Sequence, residues 1–204
     1  MKKAIYTVIT GGYDALPEVP KYKGWDTILF TDSLPMNPKG WDIVMMDKED
    51  DPVIHSRAVK ILSHEYLPSY DLVCYVDANQ RLLREPPSTP IWFTHPRRKS
   101  IYEEARQLIL NGRFKADDIN AMMQSMIDRG YKDWGLYLNG FFVRDNHDWE
   151  INALHNIWFE ETERYVPRDQ LTLPFAIWAT GVLPTNIQSY KSKESYAVVT
   201  KAHA

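Results

Sequence analysis

The stretch that decides the fold is SRAVKILSHEYLPSYDLVCYVDANQRL, residues 56–82. Its second part, VCYVDANQRL (73–82), is a run of apolar strand formers that stops at an acid and an amide two positions apart, Asp77 and Asn79. Its first part belongs to a helical pattern over residues 55–66, in which Ala58, Ile61, Leu62 and Glu65 follow one face. Arg57, Lys60 and His64 follow another, at spacings of three and four. Pro68 closes the helix, and a strand over 71–77 follows.

Working upstream, AIYTVIT (4–10) is β-branched and apolar, ends at Gly11-Gly12 and reads as a buried first strand. WDTILFTD (25–32) predicts a second strand that also ends in an acid, and WDIVMM (41–46) a third, with Pro35, Pro38 and Gly40 punctuating the loop between them. Strands alternating with helices predict an α/β fold with a mainly parallel sheet flanked by helices. In such sheets ligands sit beyond the carboxyl ends of the strands.

Downstream, residues 98–129 predict two helices broken near Asn111-Gly112, with Ala116-Asp117-Asp118 opening the second. This region, about 98–130, reads as a helical insertion or an acceptor-side subdomain. YLNGFFVR (137–144) predicts a strand, residues 148–164 a helix, and RDQLTLPFAIWATG (168–181) a helix kinked or delayed by Pro174. The polar tail from 185 holds one β-like patch, YAVVT (196–200). There is no repeat and no linker, so residues 1–204 read as a single domain.

Bulk properties narrow the function. The chain is 44% hydrophobic and 25% charged, the composition of a soluble globular protein. A net charge of −3 provides no global basic field, so nucleic acid is not an expected partner. Arg97-Arg98-Lys99 is the one local basic cluster and has the bland reading of a solvated helix start. Seven Trp and twelve Tyr suit a pocket, but such residues also fill cores. Cys74 has no partner for an internal disulfide and suits a reducing cytoplasm. MKKAIYTVIT is too short in apolar residues for a signal-peptide core or a membrane span.

Several residues have the types that chemistry needs. Side chains two apart leaving a strand point the same way, so Asp77 and Asn79 can offer oxygens to one hard divalent cation. An Asx turn explains the same tripeptide, and alone it favours that reading. In Thr10-Gly11-Gly12-Tyr13-Asp14 the glycines let a ligand approach the backbone and Tyr13 can stack on a base, although an ordinary glycine turn has the same appearance. Asp32 ends the second strand, where it can meet a base or ribose or simply be a loop acid. Arg57 and Lys60 can reach a diphosphate as fixed charges, or form a solvated face. His95, beside Arg97-Arg98, reads as a phosphate or metal contact, with Arg98 as a further donor contact. His155 shares a face with Ile151, Leu154 and Trp158 and reads as a core histidine. His147 reads as part of a helix start, His203 sits in the tail, and Glu103-Glu104 reads as an acceptor-side or solvated pair.

Taken in order, "YTVITGGYD", "ILFTDS", "SRAVKILSHEYLPSYDLVCYVDAN", "THPRRKSIYEEA", "GLYLNGFFVRDN" and "RDQLTLPF" resemble a GT-A-fold (Rossmann-like) nucleotide-sugar glycosyltransferase. They are most similar to a glycosyltransferase-like family formerly filed as a domain of unknown function. The resemblance runs from residue 6 to about 175. It implies transfer of a sugar from a nucleotide-diphosphate donor to a glycan or lipid-linked acceptor in the cytoplasm, assisted by Mn²⁺ or Mg²⁺. Asp77 and Asn79 take the metal positions, with Asn79 in place of the second acid of D-x-D, which removes one negative charge and weakens metal affinity. Thr10, Gly11, Gly12, Tyr13 and Asp32 take the nucleoside side, and Arg57 and Lys60 the diphosphate or donor sugar. Asn139, Asp169 and Gln170 match positions that hold the donor sugar in similar retaining enzymes. A sugar nucleotidyltransferase, a carbohydrate-binding scaffold on a decayed transferase fold, and a DNA-modifying transferase are the competing expectations.

Overall fold

In the computed structural model the apolar β-branched runs become strands and the periodic segments become helices. Residues 1–200 are described, apart from 17, 20 and 185; His203 lies outside the described residues. The order is β1 (Lys3–Ile9), β2 (Trp25–Thr31), β3 (Asp42–Met45), α1 (Pro52–Ile61), α2 (Ser63–Tyr66), β4 (Leu72–Val76), β5 (Gln80–Leu82) and β6 (Ile91–Thr94). Then come α3 (Ile101–Leu110), α4 (Ala116–Asp128), β7 (Tyr137–Asp145), α5 (Trp149–Arg164), α6 (Asp169–Thr180), β8 (Ile187–Gln188), α7 (Tyr190–Lys193) and β9 (Ala197–Val199).

The described residues form a seven-stranded, mostly parallel sheet of order β3-β2-β1-β4-β7-β6-β8, with a separate β5-β9 pair. Strands β3, β2, β1 and β4 pair in parallel. β7 runs antiparallel to both of its neighbours. The chain order reverses between β1 and β4, the kind of crevice where open α/β sheets bind ligands. Because β7 is reversed, its first residues share an edge with the carboxyl ends of β1, β2, β4 and β6. The backbone records this directly: Asp77 N–H donates to Gly140 O at 2.8 Å, and His95 N–H to Leu136 O at 2.9 Å.

Alternation along β4 sends Val73 and Tyr75 to one face and Leu72, Cys74 and Val76 to the other. The first face packs with Val59 and Ile61 of α1, Leu154 and Trp158 of α5, and Leu173 and Ile177 of α6. The second is covered by Leu16, Trp25 and Trp41, and by Ala197 of β9. Helices α3 and α4 pair through Leu108, Met122 and Met126, and rest on Leu171 and Phe175 of α6. Pro174 is accommodated inside α6. No described helix is long and apolar enough to cross a membrane.

One expectation needs correcting. The single helix over 55–66 is two helices that begin earlier. Asp51 caps α1, its carboxylate accepting from the Val53 and Ile54 amides at 3.0 Å each, and Pro52 stands in the first turn where no donor is missed. The chain breaks at Leu62, and Ser63 then donates its hydroxyl to Asn146 at 2.9 Å in the interior.

Candidate functional site

The parallel-strand edge gathers most of the polar residues singled out above. At the end of β1, the Thr10 hydroxyl donates to Pro52 O at 2.6 Å, tying this loop to the start of α1. The Gly11 N–H donates to Asp32 Oδ2 at 2.8 Å, joining the ends of β1 and β2. Gly11 has φ +62, and a Cβ there would sit 3.2 Å from the Pro52 ring, so the position requires glycine on two counts. Gly12 follows at φ +65 on the exposed turn, and Tyr13 is 67% exposed.

Along α1 the two cations turn inward rather than to solvent. Lys60 is only 3% exposed, and its ammonium lies 2.7 Å from Asp169 Oδ2 and 3.5 Å from Asp77 Oδ1. Arg57 Nε lies 3.9 Å from Asp169 Oδ1. Burial alone would raise the Asp169 carboxyl, but Lys60, Arg57 and Arg168 hold it well below the usual carboxylate range. Asp169 is therefore ionised and buried at the first turn of α6, where the helix N-terminus also favours negative charge. Burial acts against the Arg57 charge, yet Asp169 chiefly keeps its guanidinium above its ordinary value, and Tyr13 contributes to the same field.

Asp77 leaves β4 beside this pair. Its Oδ1 accepts from the Tyr75 hydroxyl at 2.8 Å, and its Oδ2 faces Gly140 closely enough that a Cβ on Gly140 would lie 2.7 Å away. Burial, then Asp77, pushes the Tyr75 hydroxyl well above its ordinary value, so it stays a donor. Asn79 is fixed through its backbone, its carbonyl accepting from Thr200 N–H at 2.8 Å. Asn139 sits deeper: it is 2% exposed, and its side-chain oxygen accepts from Trp92 Nε1 at 3.4 Å. Gln170, 7% exposed, donates to Tyr137 O at 3.3 Å.

A divalent cation such as Mn²⁺ or Mg²⁺ asks for several oxygens. Here one Asp77 oxygen is already shared by a hydroxyl and an ammonium. No group of three or more His, Cys, Asp or Glu that could hold a metal occurs among the described residues. Asp77 and Asn79 do not fit a resident divalent cation.

A second cluster adjoins the first. Glu104 is 1% exposed, with Oε2 at 2.5 Å from Arg98 Nε and Oε1 at 2.8 Å from Arg168 Nη2. Its expected place on a solvated or acceptor-side face is thus corrected: two guanidiniums compensate its burial. Its neighbour Glu103 stays at the surface, accepting from the Lys99 amide at 2.8 Å. Arg168 also bonds Gln170. His95 belongs to this cluster, its Nδ1 accepting from the Arg98 amide at 2.9 Å. Burial, then Arg98, pushes it down to about 4, so it is neutral at ordinary pH. Arg98 is engaged with Glu104 rather than standing as a free basic surface.

His155 is a core histidine, as expected, with Nδ1 at 2.6 Å from Ile61 O and its ring edge-on to Trp158. His147 precedes the helix that Asp148 caps. A cavity of about 300 Å³ lies elsewhere, between α3 and α4, lined by Tyr102, Ile109, Met123 and Ile127. Sequence reasoning missed Tyr75, whose hydroxyl donates to Asp77, and Lys193 of α7, which is 1% exposed.

Residues 39–203 match the family described as TOD1/MUCI70, glycosyltransferase-like domain. No curated protein matches the chain. The matched span takes in Arg57, Lys60, Asp77, Asn139, Asp169 and Lys193, whereas Thr10, Gly11, Gly12, Tyr13 and Asp32 precede it.

Proposed function

The chain belongs to the TOD1/MUCI70 glycosyltransferase-like family, and on that premise we propose that it transfers a sugar from a nucleotide-diphosphate donor to a glycan or lipid-linked acceptor. The observation that carries this reading is the Lys60 ammonium, buried between Asp169 at 2.7 Å and Asp77 at 3.5 Å at the carboxyl edge of the parallel strands. Breaking a sugar–phosphate bond develops negative charge on the leaving diphosphate and positive charge on the ring. Fixed cations and a fixed carboxylate, aligned before the reaction, stabilise both.

In this reading Arg57 and Lys60 take the diphosphate. Thr10, Gly11, Gly12, Tyr13 and Asp32 form the nucleoside side. Asp169 and Gln170 face the donor sugar, with Asn139 supporting them from below. The route is retaining: the leaving phosphate oxygen takes the proton of the acceptor hydroxyl, so no separate base is required. Residues 1–204 act as one domain, working in the cytoplasm.

A thermal-shift titration with uridine and guanosine diphosphate sugars tests the reading. A true donor at about 100 times its dissociation constant stabilises the fold by about 2.7 kcal/mol. Asp169→Asn is expected to lower transfer from a labelled donor by about a hundredfold. Failure of every nucleotide sugar to shift the transition would overturn the assignment.

A further inference from the structure

We propose that Tyr6 and Tyr75 are positioning residues: their hydroxyls fix the two sides of the Lys60–Asp77 pair, so that the ammonium is in place before a donor arrives. The inference rests on the donor reading above and deepens it.

The two tyrosines are register partners. β1 and β4 pair in parallel with Tyr6 opposite Tyr75. Both side chains join the buried cluster that holds Val59 and Ile61 of α1. Their rings meet edge to face at 5.2 Å, and the Tyr75 ring also stacks on Phe142 at 5.4 Å. Packing this apolar asks only for a ring, which phenylalanine supplies. A phenol adds a hydroxyl that must be hydrogen-bonded, because a buried polar group without a partner is costly.

Each hydroxyl is bonded to the site. Tyr6 donates to Lys60 O at 2.6 Å. That carbonyl lies in the last turn of α1, where helical partners run out. Tyr75 donates to Asp77 Oδ1 at 2.8 Å. The Lys60 ammonium approaches the same oxygen to 3.5 Å and stands 4.8 Å from the centroid of the Tyr75 ring. One tyrosine thus holds the backbone of the lysine. The other holds the carboxylate and offers its ring to the ammonium. Burial raises both hydroxyls above their ordinary value, so both remain donors.

A lysine needs this support, because its stem is flexible and its ammonium is a point charge with rotatable donors. Held between Asp169 at 2.7 Å and Asp77, it meets the charge developing on a leaving diphosphate without first reorganising. Loss of either hydroxyl leaves every charge present and loosens their alignment. That lowers turnover more than it lowers binding.

The test compares wild type, Tyr75→Phe and Tyr6→Phe, each checked for folding by its melting curve. If one variant fails to fold, the other carries the comparison. The first readout is the NMR signal of the Lys60 ammonium, assigned by its absence in Lys60→Met. The second is release of nucleoside diphosphate from uridine diphosphate glucose and guanosine diphosphate mannose, with water taking the sugar. The wild-type ammonium is expected to be visible, and its signal to shift or vanish in the variants. Turnover, kcat, is expected to fall by about tenfold or more while KM stays within about twofold. Hydroxyls that serve packing alone would lower the melting temperature and leave both readouts unchanged. A wild-type ammonium too mobile to be seen, a signal unchanged in the variants, or an unchanged kcat overturns the positioning role; nucleotide release by wild type then leaves the donor reading standing. A variant-sensitive ammonium without nucleotide release from either donor keeps the positioning of the pair and counts against the donor reading alone.

Discussion

Two carboxylates in this molecule keep similar company and reach opposite outcomes. Glu104 is enclosed: each oxygen meets an arginine, from Arg98 on one side and Arg168 on the other. Asp77 is left open: its side chain is 34% exposed, its one close cation lies 3.5 Å away, and a hydroxyl shares the same oxygen. The first cluster is saturated and ties α3 to the start of α6. The second retains capacity for another group. A charged site that builds the fold has its hydrogen bonds completed internally, while one that serves a ligand has them left incomplete.

Variants can break that contrast. Glu104→Ala strands two guanidiniums and should cost about 3 kcal/mol in urea denaturation, a large share of ordinary domain stability. A cost below that of Asp77→Asn would invert the comparison. Next comes Gly140→Ala, because the new methyl would press into the Gln80 amide and stand 2.7 Å from Asp77 Oδ2. About 2 kcal/mol of overpacking is expected, together with weakened nucleotide-sugar binding as Asp77 is displaced.

His95 sharpens the contrast through pH. Its folded value of about 4 lies below its ordinary 6.5, so the unfolded chain binds this proton more readily. Its contribution is complete above 6.5 and is lost as pH falls from there through 4. Discounted for its partial exposure, the loss is on the order of 1 kcal/mol, and it should vanish from the stability profile of His95→Gln. The smallest stability effect belongs to Asp77→Asn, at most about 1 kcal/mol. The same substitution should reduce sugar transfer far more than it reduces stability, which a donor-turnover assay beside a melting curve would reveal.

Legibility followed the range of the interactions. The ends of β1, β2 and β4 were readable because continuous apolar runs and terminal glycines or acids are local signals. The fold class followed from them. The pairing of Arg57 and Lys60 was visible in their spacing, but not their burial, because Asp169 lies far along the chain. The direction of β7 could not be read, since YLNGFFVR has the same pattern in either orientation. Glu104 looked solvent-facing because its arginines stand 6 and 64 positions away. Lys193 sits in a four-residue helix within a polar stretch, too short for any periodicity to mark its inward face.

The β5–β9 clip carries a consequence for biosynthesis. Thr200 bonds to Asn79, which left the ribosome 121 positions earlier. Until β9 emerges, the nascent chain holds the Asp77 region with one side uncovered and β5 unpaired, a state open to chaperones and to mispairing with other chains. The surroundings of Asp77 would therefore be completed only once β9 has paired with β5.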